Sequence, residues 1–329
     1  MISRREGCLR EYVGRLWRRW GSRLAALLAS LLAGLATPAI AAHLVEPPAV
    51  TTGDAASLAS AKQLLGEKKY QAAAEAYAQA NERAGGHCGE CLLGLARAKV
   101  GLGDLDAAIA AAQEAARALA GDPLQALAYQ HVGDLLLHRA GSSVADLTAA
   151  EEAYGKALAS GAADRAQALT GIAMSRFRRS LYPQALEAAS AALAAAGGGP
   201  AAVPARVLLC RARRAGNLPP AQPPTTEAGQ QEIFRIKGRV TKPVKISAPP
   251  PVYTEEARNR LINGAVILAA IIDQQGCVSS VHVLKGLDSG LDKAAWTAVE
   301  NWVFEPATLD GRPVSVYYTL MVTFDLPPP

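Results

Sequence analysis

The chain has 329 residues, enough for two domains, and half of them are apolar although only 5% are aromatic. Its formal charge of +5 is carried by the first 41 residues, where seven arginines face two glutamates, so everything after Ala41 sums to zero. No basic patch is left to neutralise phosphates, which removes nucleic-acid binding as the meaning of the high isoelectric point.

In chain order, the arginine-rich head, the apolar run Leu24–Leu35 and the small-residue site Ala39-Ile40-Ala41 have the layout of a secretory signal, residues 1–41. The same stretch admits a second reading, an uncleaved membrane anchor. Leu24 to Ala42 is 19 residues, against roughly 20 for a bilayer span. Either reading places the rest of the chain outside the cytoplasm.

Residues 54–215 are alanine-rich and repetitive. Tyr70, Leu105, Leu147 and Tyr182 each open a helical stretch and stand 35, 42 and 35 residues apart. That is a period near 34 with an insertion of about eight residues at Ala140–Asp146. Glycines such as Gly94 and Gly171 sit inside the preceding helical stretches, where small residues allow paired helices to approach closely. This pattern resembles tetratricopeptide repeats. The resemblance implies about four helix pairs stacked into an array with a concave face that binds peptides or proteins.

Within this region Cys88-Gly-Glu-Cys91, preceded by His87, is the one motif with the look of chemistry. Outside the cytoplasm two cysteines at this spacing make a local disulfide candidate. Free thiols and a redox pair are the alternatives. A zinc site needs two more ligands at matching spacing, and none stands nearby, so no metal and no cofactor is expected. His131 and His138 lie seven apart on one helix face, a spacing that packing or solvation explains. Cys210 and Cys277 fall in different domains, and Cys277, after a turn glycine, reads as a packed residue.

Residues 216–232, with Pro219-Pro220 and Pro223-Pro224, lose all apolar periodicity and read as a linker. Extended, such a stretch reaches on the order of 50 Å. The final domain, 233–329, opens on an extended piece, Ile233–Val240, which is expected to lie along it as an extra strand. A short polar helix from Glu255 to Leu261 follows. Then come the apolar run Ala265–Ile272, the turn Asp273–Gly276, a second β-rich run Cys277–Leu284, a helix over Leu291–Trp302, an Asp310-Gly311 turn and a last strand within Val314–Phe324. The run Ala265–Ile272 is apolar on both faces, as a central strand requires.

Pro251-Val-Tyr253, Ala257-Arg258, Asn263-Gly264-Ala-Val266, Asp273-Gln-Gln-Gly276, Leu291-Asp292-Lys-Ala-Ala295, Trp302-Val-Phe304-Glu-Pro306-Ala307 and Asp310-Gly311-Arg-Pro313 look like the TonB C-terminal domain. That resemblance implies a three-stranded antiparallel sheet with two helices, and hence, with the repeats, a two-domain α+β chain. It also implies an open sheet edge that accepts the N-terminal energy-coupling segment of an outer-membrane transporter. Carried over by position, the partner-binding residues are Arg258, Asn259, Arg260, Leu261, Ile262 and Asn263, together with Ser315, Val316, Tyr317, Tyr318, Thr319, Leu320 and Met321 on the last strand. Tyr253 and Trp302 read as core. No catalytic set is expected.

The expected role is a non-catalytic periplasmic adaptor in outer-membrane transport or envelope assembly. Two alternatives stand beside it: an inner-membrane energy transducer that engages motor proteins, and a periplasmic CxxC thiol protein. Energy transducers of the TonB family have a histidine in their anchor and a long spacer. Leu24–Ala42 has no histidine, and the linker here is short.

Overall fold

The structure is a computed structural model, and it describes residues 52–219 and 232–326. The signal or anchor segment and most of the proline-rich linker lie outside these residues.

Eight helices form four antiparallel pairs: α1 (Thr52–Gly66) with α2 (Tyr70–Arg83), α3 (Gly89–Gly101) with α4 (Leu105–Ala118), α5 (Leu124–Arg139) with α6 (Val144–Ala159), and α7 (Arg165–Arg178) with α8 (Tyr182–Ala196). A ninth, α9 (Val203–Ala215), closes the stack. Several helices start where the sequence supplies an acceptor for the first free N–H groups. Asp104, Ser143 and Asp164 accept from the backbone of Ala107, Asp146 and Gln167. The eight-residue insertion expected at Ala140–Asp146 is not a loop. The turn there is four residues, and the extra length is helical: α5 and α6 have 16 residues each, against 13 and 14 in α3 and α4.

Alanine makes the core of this array. Ala73, Ala98, Ala112, Ala150, Ala168 and Ala189 are fully buried. Leu92, Leu147, Leu208 and Leu209 add bulk, together with two buried tyrosines. Tyr77 packs on Gly94, and Tyr154 is clamped between Gly133 and Gly171, where an added Cβ would meet the ring at 2.8 and 2.3 Å. The glycines of the repeat therefore make room for a ring from a second helix, not for a neighbouring backbone.

The second module is built on a sheet of order β1-β8-β3-β4, where β1 is Phe234–Arg235, β3 Gly264–Ile272, β4 Val278–Lys285 and β8 Val316–Phe324. The expected three antiparallel strands are β8, β3 and β4, with β3 central. The sheet gains a fourth strand because β1, from the extended piece after the linker, pairs in parallel with Val316 and Tyr317. Phe234, Ile236 and Val240 anchor that piece by packing against the sheet core. Short strands β2 (Val244–Ser247) and β5 (Val303–Glu305) pair with each other, and β6 (Thr308–Leu309) and β7 (Arg312–Pro313) form a hairpin. Its turn residues Asp310 and Gly311 both have positive φ, as a tight hairpin needs.

Helices α10 (Glu255–Asn259) and α11 (Ser289–Glu300) complete the module. The core gathers Val266, Leu268, Ile272, Leu291, Val299, Trp302, Phe304 and Leu320. Trp302 is buried as expected, and its indole N–H donates to the Pro249 carbonyl at 3.0 Å.

Candidate functional site: an open sheet edge and the turn beside it

Every residue of β3 pairs with one of β8, from Gly264–Phe324 to Ile272–Val316. One side of β8 is therefore full. On the other side the Phe234 amide donates to the Ser315 carbonyl at 2.8 Å, and β1 ends at Arg235, opposite Tyr317. The edge predicted to run from Ser315 is thus occupied at Ser315, Val316 and Tyr317 and open from Tyr318 onward.

Which backbone groups face outward follows from the same bond. N–H and C=O groups of alternate residues point to opposite sides of a strand. The Ser315 carbonyl faces β1, so Thr319, Met321 and Thr323 present their N–H and C=O groups to the open side. Their side chains lie on the exposed face, with Met321 65% exposed, whereas Val316, Leu320, Val322 and Phe324 are buried. Of the strand residues named from sequence, Val316 and Leu320 thus belong to the core.

The Gly264–Phe324 pair brings the second predicted segment to the open end of this edge. Thr254 caps α10, which stops at Asn259. Arg258 stacks over the Tyr253 ring at 5.7 Å, Tyr253 meets Phe324 edge-on, and its hydroxyl donates to the Ile262 carbonyl. Arg260 faces Asp288 at 3.7 Å. Leu261 combines a left-handed backbone (φ 55°) with a side chain that is 70% exposed. A branched apolar residue held in that conformation costs energy and leaves its side chain unburied. Ile262 is half-buried and Asn263 exposed.

Three comparisons with known proteins bear on this geometry. Residues 249–326 match the family model described as Gram-negative bacterial TonB protein C-terminal. These residues form a TonB C-terminal domain. Protein TonB of Vibrio cholerae serotype O1 (strain ATCC 39315 / El Tor Inaba N16961) is 34% identical over 110 residues, 33% of this chain and 45% of that protein. The chain therefore spans less than half the length of this relative. Among solved structures, MamA protein gives a TM-score of 0.42 at 18% identity over 50% of this chain and 83% of its own. The APC/C hetero-tetramer Cut9-Hcn1 gives 0.40 at 19% over 50% and 30%. A structure of nearly identical TPR-like repeats from Podosopora anserina gives 0.39 at 15% over 50% and 86%.

The TonB-type domain is bolted to the end of the array, a relation the sequence did not reveal. Cys210 of α9 forms a disulfide with Cys277 in the β3–β4 turn, so Cys277 is a packed residue and a cross-link at once. Arg206, Cys210 and Arg213 share one face of α9 by their spacing. Arg213 pairs with Asp273 at 2.5 Å, both buried, and Arg206 donates to the Gln275 carbonyl at 2.8 Å. Burial holds the Arg206 pKa below its ordinary value. Asp273 also accepts from the amides of Gln275 and Cys277, and Arg214 meets Glu300 at 3.1 Å. Gly276 is needed at this turn. Its φ is 84°, and a Cβ would lie 1.8 Å from the Phe304 carbonyl oxygen.

Cys88 and Cys91 are also joined to each other. Cys88 caps α3 through its sulfur, and Cys91 is buried. Among the described residues no cluster of three potential metal ligands occurs, and no helix is long and apolar enough to cross a membrane.

Proposed function

We propose that this protein is a cell-envelope adaptor whose TonB-type domain captures an extended peptide by adding it as a strand along Tyr318–Phe324. The array of helix pairs recruits a second protein partner. The observation that supports this reading is the unfinished ladder. Thr319, Met321 and Thr323 offer backbone groups outward, beside an exposed, strained Leu261. Backbone pairing provides affinity in strand addition, and alternate side chains provide selectivity. In this reading Arg258, Leu261 and Asn263 contact the peptide where it leaves the edge. By kinship with the TonB domain, the peptide is the N-terminal segment of an outer-membrane transporter and the compartment is the periplasm.

Met321→Pro tests this. The substitution removes an outward N–H and leaves the ladder to β3 intact, so the edge is blocked in a folded domain. Binding of a transporter N-terminal peptide, measured by calorimetry, is expected to weaken at least tenfold with an unchanged melting profile. Undiminished binding would refute strand addition at this edge.

A further inference from the structure

A second groove, of about 980 Å³, runs where the two modules meet. One wall is α9, through Val207 and Arg211. The floor is the extended stretch around Pro249–Pro251, and the far wall is α11, through Lys293, Ala294 and Thr297. The volume is at the upper end for ligand sites. Its lining includes residues from Gly290 to Asn301, a stretch of about 16 Å along α11, the length of roughly five extended residues.

Its chemistry is one-sided. No Asp or Glu lines it. Lys293 makes no ion pair among the described residues, and Arg211 lies over the Phe177 ring at 5.1 Å with no carboxylate partner. Of the acids next to it in sequence, Glu300 pairs with Arg214, Asp288 accepts from the Gly290 amide and faces Arg260, and Asp292 accepts from the Leu287 amide, whereas Glu255 and Glu256 follow Thr254 without an ion pair among the described residues but stand outside the lining. Within this stretch Pro250 and Pro251 offer carbonyls and no N–H of their own, and the Trp302 indole takes up the carbonyl of Pro249. Val252, at the rim, is 77% exposed.

We infer that this groove binds an extended acidic peptide of about five residues. Its carboxylates meet Arg211 and Lys293, its amides face the Pro250 and Pro251 carbonyls, and its apolar side chains lie on Val207 and Ala294. The site is separate from the β8 edge and needs both modules, since each contributes one cation.

A displayed library of random octapeptides, selected on the full chain, tests the inference. The recovered peptides should be enriched in Asp and Glu interleaved with apolar residues. A fluorescein-labelled representative should bind at least tenfold more weakly to Lys293→Glu and to Arg211→Glu, and more weakly as salt rises. It should bind Met321→Pro as it binds the parent chain. Lys293 is exposed on a helix, so its variant should melt as the parent does. Recovery of neutral or basic peptides, indifference to Lys293→Glu, or loss of binding in Met321→Pro would each overturn the assignment, the last by placing the peptide on the edge.

Discussion

The two disulfides make a quantitative contrast, because they close loops of very different length. Cys210–Cys277 has a sequence separation of 67 and Cys88–Cys91 a separation of 3. If a cross-link acts mainly by restricting the unfolded chain, the long loop contributes about 4 kcal/mol and the short one about 2 kcal/mol. Replacing Cys210 and Cys277 together by Ala should therefore move the urea midpoint by about 2 M for a slope near 2 kcal/mol/M. Replacing Cys88 and Cys91 should move it by about half as much. Before unfolding, the Trp302 environment should be unchanged in the first variant, because the Arg213–Asp273 and Arg206–Gln275 contacts keep α9 against the β3–β4 turn. Urea titrations of the two double variants and of the reduced parent, followed by fluorescence, give the comparison. Equal shifts, or a larger one for Cys88–Cys91, would refute the chain-entropy account and place the stabilisation in local native contacts.

Further predictions concern the array. Gly171→Ala should destabilise by about 1–3 kcal/mol, since the new methyl meets a Tyr154 ring that Gly133 and the Asp134 hydrogen bond keep from moving. Gly155→Ala, with open space around it, should instead stabilise by roughly 0.5–1 kcal/mol, and thermal melts of both variants check the pair. Burial, helped by Arg97, holds the His131 pKa below its ordinary 6.5, so the unfolded chain takes up that proton first. Stability should fall as pH drops through 6.5, and His131→Gln should flatten that slope. Asp134, raised by burial, acts in the opposite sense. The difference in urea midpoint between the parent and His131→Gln, followed from pH 7.5 to 5.5, therefore reads the histidine.

The sequence alone determined the elements and their order. Period, turn residues and the apolar run Ala265–Ile272 are local signals, written in spacings of a few residues, and they placed helix pairs, the central strand and the Asp310-Gly311 turn. The last strand was legible in the same way, whereas the choice of Arg258–Asn263 as a contact segment came from the resemblance to the TonB C-terminal domain. What tertiary structure alone decided was what each element meets. Two residues of β1 close the first part of the edge predicted at Ser315–Met321, a pairing set by how Phe234 and Ile236 pack and by no pattern in the strand itself. The partnership of Cys210 with Cys277, and with it the groove between α9 and α11, depends on the close approach of segments 67 residues apart. Spacing carries no information about such an approach, because it is fixed by shape and burial over the whole fold.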